Sequence, residues 1–502
     1  MRQHTKPSKI RMKHDDLPAV IARKLAPSGS ARAGSLLRAL REACITMLSA
    51  IATLLITMLI APGIGAGVLA VVLCISLSRS HLDRDRRGRI EAAIALPLVG
   101  LVAVGIGSLL QHSRWLGAVV FVAGMFVSIW LRRFGPMAGR AGSLIALPFV
   151  VLLTTPYIPA APGGAIPALI APIVVALLAL LWVSSLHALA ERIGFLPTRP
   201  VRENAPPAPR GESLLRPIAS TRMAIQMAVA LTVSFIVGYV WFADHWAWIV
   251  LTAFIVSSGN RGRLDVVYKS VLRVLGAAAG TFLALALSNN FGSHDTTTVV
   301  LILVAVFLGL WLRPLGYAWW ALFVTLALAL LQGFVGASTA SILGLRMEEI
   351  LIGAVIGVAA SWFVLPVRSS AVLRRRIADA LACLSDALDP ANPLRAPELF
   401  IAALDAVEQL APAFRASRLL TKHFRRLQPA DWVDALLACR DPAIALIEKK
   451  ATPVGARRAV GAARKSLREP TEILPALRDL YGSLTACAAL DADPASTQPT
   501  QD

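Results

Sequence analysis

Charge is scarce in this sequence. Asp, Glu, Lys and Arg make up 16% of its 502 residues, against about 25% in an ordinary soluble domain. Apolar residues make up 56%, so a soluble enzyme and a disordered chain are both excluded. Cysteine is sparse as well. Cys44, Cys74, Cys383, Cys439 and Cys487 are widely spaced, odd in number and form no Cys-x-x-Cys. A disulfide framework or thiolate metal site is not expected from them; single buried thiols are. Catalytic signatures are missing too. There is no Gly-x-x-x-x-Gly-Lys-Ser/Thr phosphate loop, no Gly-x-Ser-x-Gly elbow and no His-Glu-x-x-His. His81-x-Asp83-x-Asp85 has metal-like spacing, but the arginines crowding its loop would repel a cation. No enzyme activity, metal or cofactor is therefore expected. A secretory signal is also lacking. Residues 1–40 are polar and basic, and the first apolar run begins near Ala43, beyond the usual place of a signal's apolar core.

Long apolar runs are abundant. Twelve occur before residue 367, near 43–60, 64–80, 92–110, 115–131, 143–159, 166–187, 223–241, 246–260, 271–288, 297–312, 317–335 and 349–366. Most approach the length of about 20 residues that crosses a bilayer as a helix. Two are short: the second opens on Gly63-Ile64-Gly65-Ala66-Gly67, and the eighth runs only from Trp246 to about Ser258. Short or broken helices in a membrane can mark a path, because exposed backbone is tolerated there only against protein or water. The net charge of +20 would suggest nucleic acid in a soluble protein. Here the charges alternate with the runs. With the N-terminus inside, 19 Lys and Arg residues fall in one set of loops and only Arg114 and Arg346 in the other. This bias sets both termini in the cytoplasm of a bacterial inner-membrane protein and makes nucleic acid unnecessary.

An internal repeat organises the runs. Trp130-Leu-Arg-Arg-Phe-Gly135 returns as Trp311-Leu-Arg-Pro-Leu-Gly316, 181 residues later. Each unit holds six spans, an even number, so the units are parallel, an arrangement that places a substrate site between halves. The expected fold is an all-α polytopic membrane protein of two six-helix repeats with a cytoplasmic helical domain. The expected divisions are a basic arm (1–40), a first repeat (41–190), a Pro/Arg-rich linker (191–220), a second repeat (221–366), a helical domain (367–490) and a disordered tail (491–502). In the helical domain, Ile377, Leu381, Leu384 and Leu388 are expected to line one face, and Leu399, Ala402, Ala403 and Val407 another.

The densest local signal runs from Asp244 to Thr281. It reads Asp-His-Trp-Ala-Trp-Ile-Val-Leu-Thr-Ala-Phe-Ile-Val-Ser-Ser-Gly-Asn-Arg-Gly-Arg, followed by Arg273-Val-Leu-Gly-Ala-Ala-Ala-Gly-Thr281. The Trp-rich entry to a short span, Leu251-Thr252, Ser257-Ser258-Gly259 before basic residues, and Arg273-x-x-Gly-x-x-x-Gly-Thr resemble the fusaric-acid-resistance-like family, also called the aromatic acid exporter or integral membrane bound transporter family. The resemblance covers roughly residues 35–480 and is sharpest in the second half. It implies export of small aromatic carboxylates from bacteria, with proton coupling and often a periplasmic adaptor protein.

The residues bear on that expectation one by one. Arg261, Arg263 and Arg273 are suited to attract an anion, or serve only as topology signals. Thr252, Ser257, Ser258, Asn260 and Thr281 offer donors along a path, or join helices. Gly276 and Gly280 form a Gly-x-x-x-Gly for close helix packing. Trp241, Trp246, Trp248, Trp311, Trp319 and Trp320 fit an interfacial belt, with ring stacking on a substrate as the alternative. Every acid between residues 41 and 366 is read at a span end or in a loop. Asp244-His245 is thus the candidate proton-sensitive pair. Expected partners are membrane lipid, a small aromatic or amphipathic acid, a periplasmic adaptor and further copies of the chain. The competing class is a membrane scaffold or regulator acting through residues 367–490.

Overall fold

The computed structural model describes residues 29–80, 86–135, 170–196, 219–242, 245–259, 261–288, 295–335, 340–392, 397–424, 427–451 and 454–490, with scattered positions from 138 to 167 and Arg395. Among the described residues there are helices and no strand. The chain divides into two units, one ending at Pro366 and one built from Val367 onward.

The first unit holds eleven described α-helices: α1 (Gly29–Ile60), α2 (Ile64–Ser80), α3 (Arg86–His112), α4 (Arg114–Trp130), α5 (Ala171–Arg192), α6 (Ala219–Trp241), α7 (Trp246–Ser257), α8 (Arg263–Ser288), α9 (Thr296–Leu312), α10 (Tyr317–Phe334) and α11 (Ala340–Phe363). Eight of them are long and apolar enough to cross a membrane; α2 and α7 are shorter apolar helices. A helix satisfies its own backbone polar groups, which is why apolar runs of this length take no other form in lipid. Of the twelve expected runs, the fifth lies largely outside the described residues. The twelfth differs in extent. An expected start at residue 349 becomes a helix from Ala340, which draws Arg346, Glu348 and Glu349 inside it.

The repeated motif has one local structure in both places. After α4, Leu131–Phe134 form a 3-10 turn closed by Gly135 at φ 114°. After α9, Arg313–Leu315 do the same, closed by Gly316 at φ 153°. Positive φ at the closing position is why glycine ends both motifs. The packing echoes this: α2 and α3 both lie on α5, and α7 and α8 both lie on α11. Small residues let the helices approach. A Cβ at Gly276 would sit 2.6 Å from Ala318 O, and one at Gly280 2.4 Å from Leu322 O, so α8 and α10 meet backbone to backbone. Gly353 similarly brings α11 against Ile249 O and Thr252 of α7. In α1, α2 and α5, buried hydroxyls and His187 are linked: Thr46 Oγ1 to Ser78 Oγ at 2.7 Å, and Ser78 Oγ to His187 Nε2 at 3.3 Å.

The second unit contains α12 (Ser369–Ala387), α13 (Glu398–Glu408), α14 (Ala411–Thr421), α15 (Pro429–Ala438), α16 (Arg440–Glu448), α17 (Val454–Ser466) and α18 (Ile473–Leu490). Ile377, Leu381, Leu384 and Leu388 are fully buried. On α13 Val407 of the expected face is buried, but Leu399 is 57% exposed, and Phe400 and Leu404 complete the core instead. The i, i+4, i+7 stripe from Phe400 carries the bulkier ring inward, and α13 starts only at Glu398, so Leu399 lies on the outer side of its first turn.

Candidate functional site

Four elements of the first unit converge on a cavity of about 50 Å3. It is lined by Met125, Ser128 and Ile129 of α4, by Arg132 of the following turn, by Met223 and Met227 of α6, and by Phe254, Ser257, Ser258 and Gly259 at the end of α7. α4 and α6 pack against each other, and the cavity lies beside their contact. Its volume accommodates about one or two water molecules. Its walls are methionine and phenylalanine with hydroxyls between them. Ser128 Oγ and Ser257 Oγ are buried and have no hydrogen-bond partner among the described residues; Ser258 Oγ donates to Ile255 O at 2.8 Å.

Local sequence explains the turn at its floor. Gly259 and Gly262 take φ of 64° and 123°, backbone that side chains disfavour. Asp265 ties the turn by accepting from Arg261 N at 3.2 Å, and Lys269 ties it by pairing with Asp265 at 2.8 Å and donating to Gly259 O at 3.2 Å. Arg261 is exposed, and Arg263 stacks on Trp362 with its guanidinium carbon 5.0 Å from the ring centroid. Asn260 and Asp244 lie outside the described residues. His245 is the residue that precedes α7.

Arg273 sits elsewhere. It is 1% exposed on α8, faces α10, and Nη1 donates to Thr325 Oγ1 at 3.4 Å. Its Nε and Nη2 have no hydrogen-bond partner among the described residues. Tyr317, at the start of α10, is within electrostatic reach of Arg79, Arg273 and Arg313, and Arg79 lies over Trp320 at 5.6 Å. Cations thus gather around the α10 start. Thr252 is fully buried against α11, its Oγ1 without a hydrogen-bond partner among the described residues, and Thr281 Oγ1 reaches Met347 Sδ at 3.7 Å.

Two expectations are corrected. Trp246 and Trp248 are not at an interface: they are 7% and 5% exposed, and Trp246 packs on Phe235 and Tyr239 at 5.4 Å each. Only Trp241 of that trio is exposed, at 69%. The second correction concerns charge within the membrane unit. Arg346, assigned to a loop, and Glu349, assigned to a span end, are each 1% exposed inside α11. The longer helix puts both on one face, three residues apart. An earlier helix start was the signal that would have revealed them. Arg132, Ser128 and the three methionines were also missed, because only tertiary packing brings them to Ser257.

Residues 229–360, from within α6 to within α11, match the family described as fusaric acid resistance protein-like. Over these residues the chain is similar to that family. No curated relative matches the chain. The matched stretch includes Ser257, Arg273, Arg346 and Glu349. Together with the apolar helices, the match indicates a multi-pass membrane protein.

Proposed function

We propose that this protein exports small aromatic carboxylates, or closely related amphipathic anions, across the bacterial inner membrane under a proton gradient. The Arg-rich loops and both termini are placed in the cytoplasm, and the unit from residue 41 to 366 is read as two six-helix repeats. One observation carries the reading. Arg273 is a buried cation on an apolar helix, with one weak hydrogen bond and two nitrogens left over. Keeping such a group is costly in lipid, and intramembrane charges of this kind mark substrate paths. An aromatic carboxylate answers its needs with a charge for the guanidinium and a ring for apolar walls. The cluster of Arg79, Arg313 and Arg273 raises the local concentration of anions at the entry. The Met- and Ser-lined cavity beside Ser257 draws its walls from α4 and α6, the helices read as belonging to different repeats, and a parallel repeat is expected to bind substrate between its units.

The test is uptake of labelled 4-hydroxybenzoate into inverted vesicles with and without a proton gradient. Wild type, Arg273→Ala and Arg273→Lys are compared at matched expression. Gradient-dependent accumulation should fall by about tenfold or more in Arg273→Ala and be partly kept in Arg273→Lys, which retains the charge without the fork. Equal uptake by wild type and Arg273→Ala, or no uptake above empty vesicles across a panel of such acids, would reject the proposal.

A further inference from the structure

The transport reading makes no use of Arg346 and Glu349, yet they are the most anomalous groups in the membrane unit. Both are 1% exposed. The Arg346 guanidinium lies over the Trp248 ring, 4.5 Å from its centroid. Among the described residues, its Nε, Nη1 and Nη2 have no hydrogen-bond partner, and neither do the two carboxylate oxygens of Glu349. A buried guanidinium and a buried carboxylate without hydrogen bonds are each costly, and a structure that keeps both leaves their donors and acceptors for something else.

The chemistry of the vacant groups selects the occupant. A guanidinium stacked on an indole presents its N–H fork edgewise, and a carboxylate matches that fork with two parallel hydrogen bonds. The Trp248 ring and its apolar neighbours suit an aromatic ring. Glu349, on the same helix face, supplies the compensating charge when no ligand is present. A second carboxylate brought to Arg346 sets two negative charges against one cation. That arrangement relaxes when one carboxylate takes a proton. Arg346 keeps its own proton at every ordinary pH.

The surroundings leave Glu349 as the group that titrates. The charges acting on it are Arg346 and the exposed Glu348 of the same helix. α7 has no charged residue between Trp246 and Ser257. On α8 the titratable groups are Arg263, Asp265, Tyr268, Lys269 and Arg273, all in its first three turns. The contact of Thr281 with Met347 sets the uncharged later part of α8 against this stretch of α11. α6 contributes Arg222 and Tyr239.

We infer that Arg346 and Glu349 form a proton-linked carboxylate site, in which an aromatic carboxylate pairs with Arg346 beside Trp248 while Glu349 takes up one proton. The balance is simple: the ligand enters as an anion, one proton comes from solvent, and the carboxylate of Glu349 becomes a carboxyl. No other bond changes. The aromatic class of ligand rests on the transport reading; the site itself is tested by binding alone.

The experiment measures benzoate binding to the purified full chain in nanodiscs by calorimetry. It is run from about pH 5.5 to about pH 8, in pairs of buffers with different ionisation heats, with benzamide as the uncharged control. Wild type should bind benzoate more tightly as pH falls, take up about one proton per ligand near neutral pH, and ignore benzamide. Glu349→Gln removes the competing charge. It should bind benzoate about ten- to a hundredfold more tightly than wild type at about pH 7.5, with no proton uptake and a flat pH profile. Arg346→Gln should abolish binding and Arg346→Lys should weaken it. Monodispersity on size exclusion separates loss of site from loss of fold, and the wild-type proton count stands without any variant. Binding without proton uptake, weaker binding in Glu349→Gln, or no benzoate binding at any pH would overturn the inference. Vesicles that move no acid, made from protein that binds benzoate with a proton, would reject the transport reading and leave this site standing.

Discussion

Replacing Gly280 by Ala tests the claim that α8 and α10 are joined backbone to backbone. The added Cβ would lie 2.4 Å from Leu322 O, 3.1 Å from Thr325 Cβ and 3.2 Å from Leu326 N. A carbon normally stops about 3.3 Å from a carbonyl oxygen, so α10 must retreat by roughly 0.9 Å at this level. Neither backbone can swing aside as a side chain would. Overpacking of this kind costs about 1–3 kcal/mol, and the upper half of that range applies, because the obstacle is main chain. The retreat also carries Thr325 away from Arg273, whose single hydrogen bond is already 3.4 Å long. Gly105 on α3 is the control, since a Cβ there meets nothing within 4 Å. Gly105→Ala should be neutral or stabilising by up to about 1 kcal/mol through helix propensity. The assay is the midpoint of SDS-induced unfolding in mixed micelles for the two variants and wild type. Gly280→Ala should unfold at clearly lower SDS and Gly105→Ala at equal or higher SDS. If Gly280→Ala matches Gly105→Ala, the close approach of the two helices is wrong.

Two further predictions concern other parts of the chain. Gln226 Nε2 donates to Val364 O at 2.8 Å and Leu365 O at 3.2 Å, just after the end of α11, where Leu365 takes φ 45°. Gln226→Ala should therefore cost about 1–2 kcal/mol in the same unfolding assay, and Leu365→Gly should recover part of it by relieving the left-handed backbone. In the second unit, burial pushes the Cys439 thiol up to about 12. Its thiolate fraction at about pH 8 is then on the order of 10⁻⁴, so maleimide should leave Cys439 unlabelled in folded protein and modify it once urea unfolds that unit, as read by mass spectrometry of its peptide. Fast native labelling would contradict its burial.

Much of the architecture is written in runs and periods. Apolar length alone marks the helices, because a membrane helix needs nothing from distant residues to satisfy its backbone. The glycines ending Trp-Leu-Arg-Arg-Phe-Gly and Trp-Leu-Arg-Pro-Leu-Gly are legible in the same way, since positive φ is a local demand met by Gly135 and Gly316. The stripe of Ile377, Leu381, Leu384 and Leu388 also follows from periodicity. Glycine spacing near Arg273 suggests a packed helix but does not name its partner, α10.

Contacts between distant helices were beyond that reach. Trp248 has the composition of an interfacial residue and is buried in a core that distant α4 and α6 help to build, with Arg346 of α11 over its ring. Arg346 and Glu349 look like loop charges because hydropathy averages a window, and three charged residues within four positions pull that average down. Helix hydrogen bonding continues regardless, and it carries both side chains into the interior. The cavity at Ser257 needs Met125 and Arg132 from more than a hundred residues earlier. Local backbone demands and apolar length could thus be read from order in the chain. Which charge is buried, and beside which ring, is fixed by the approach of helices far apart in sequence, and only the tertiary structure decided it.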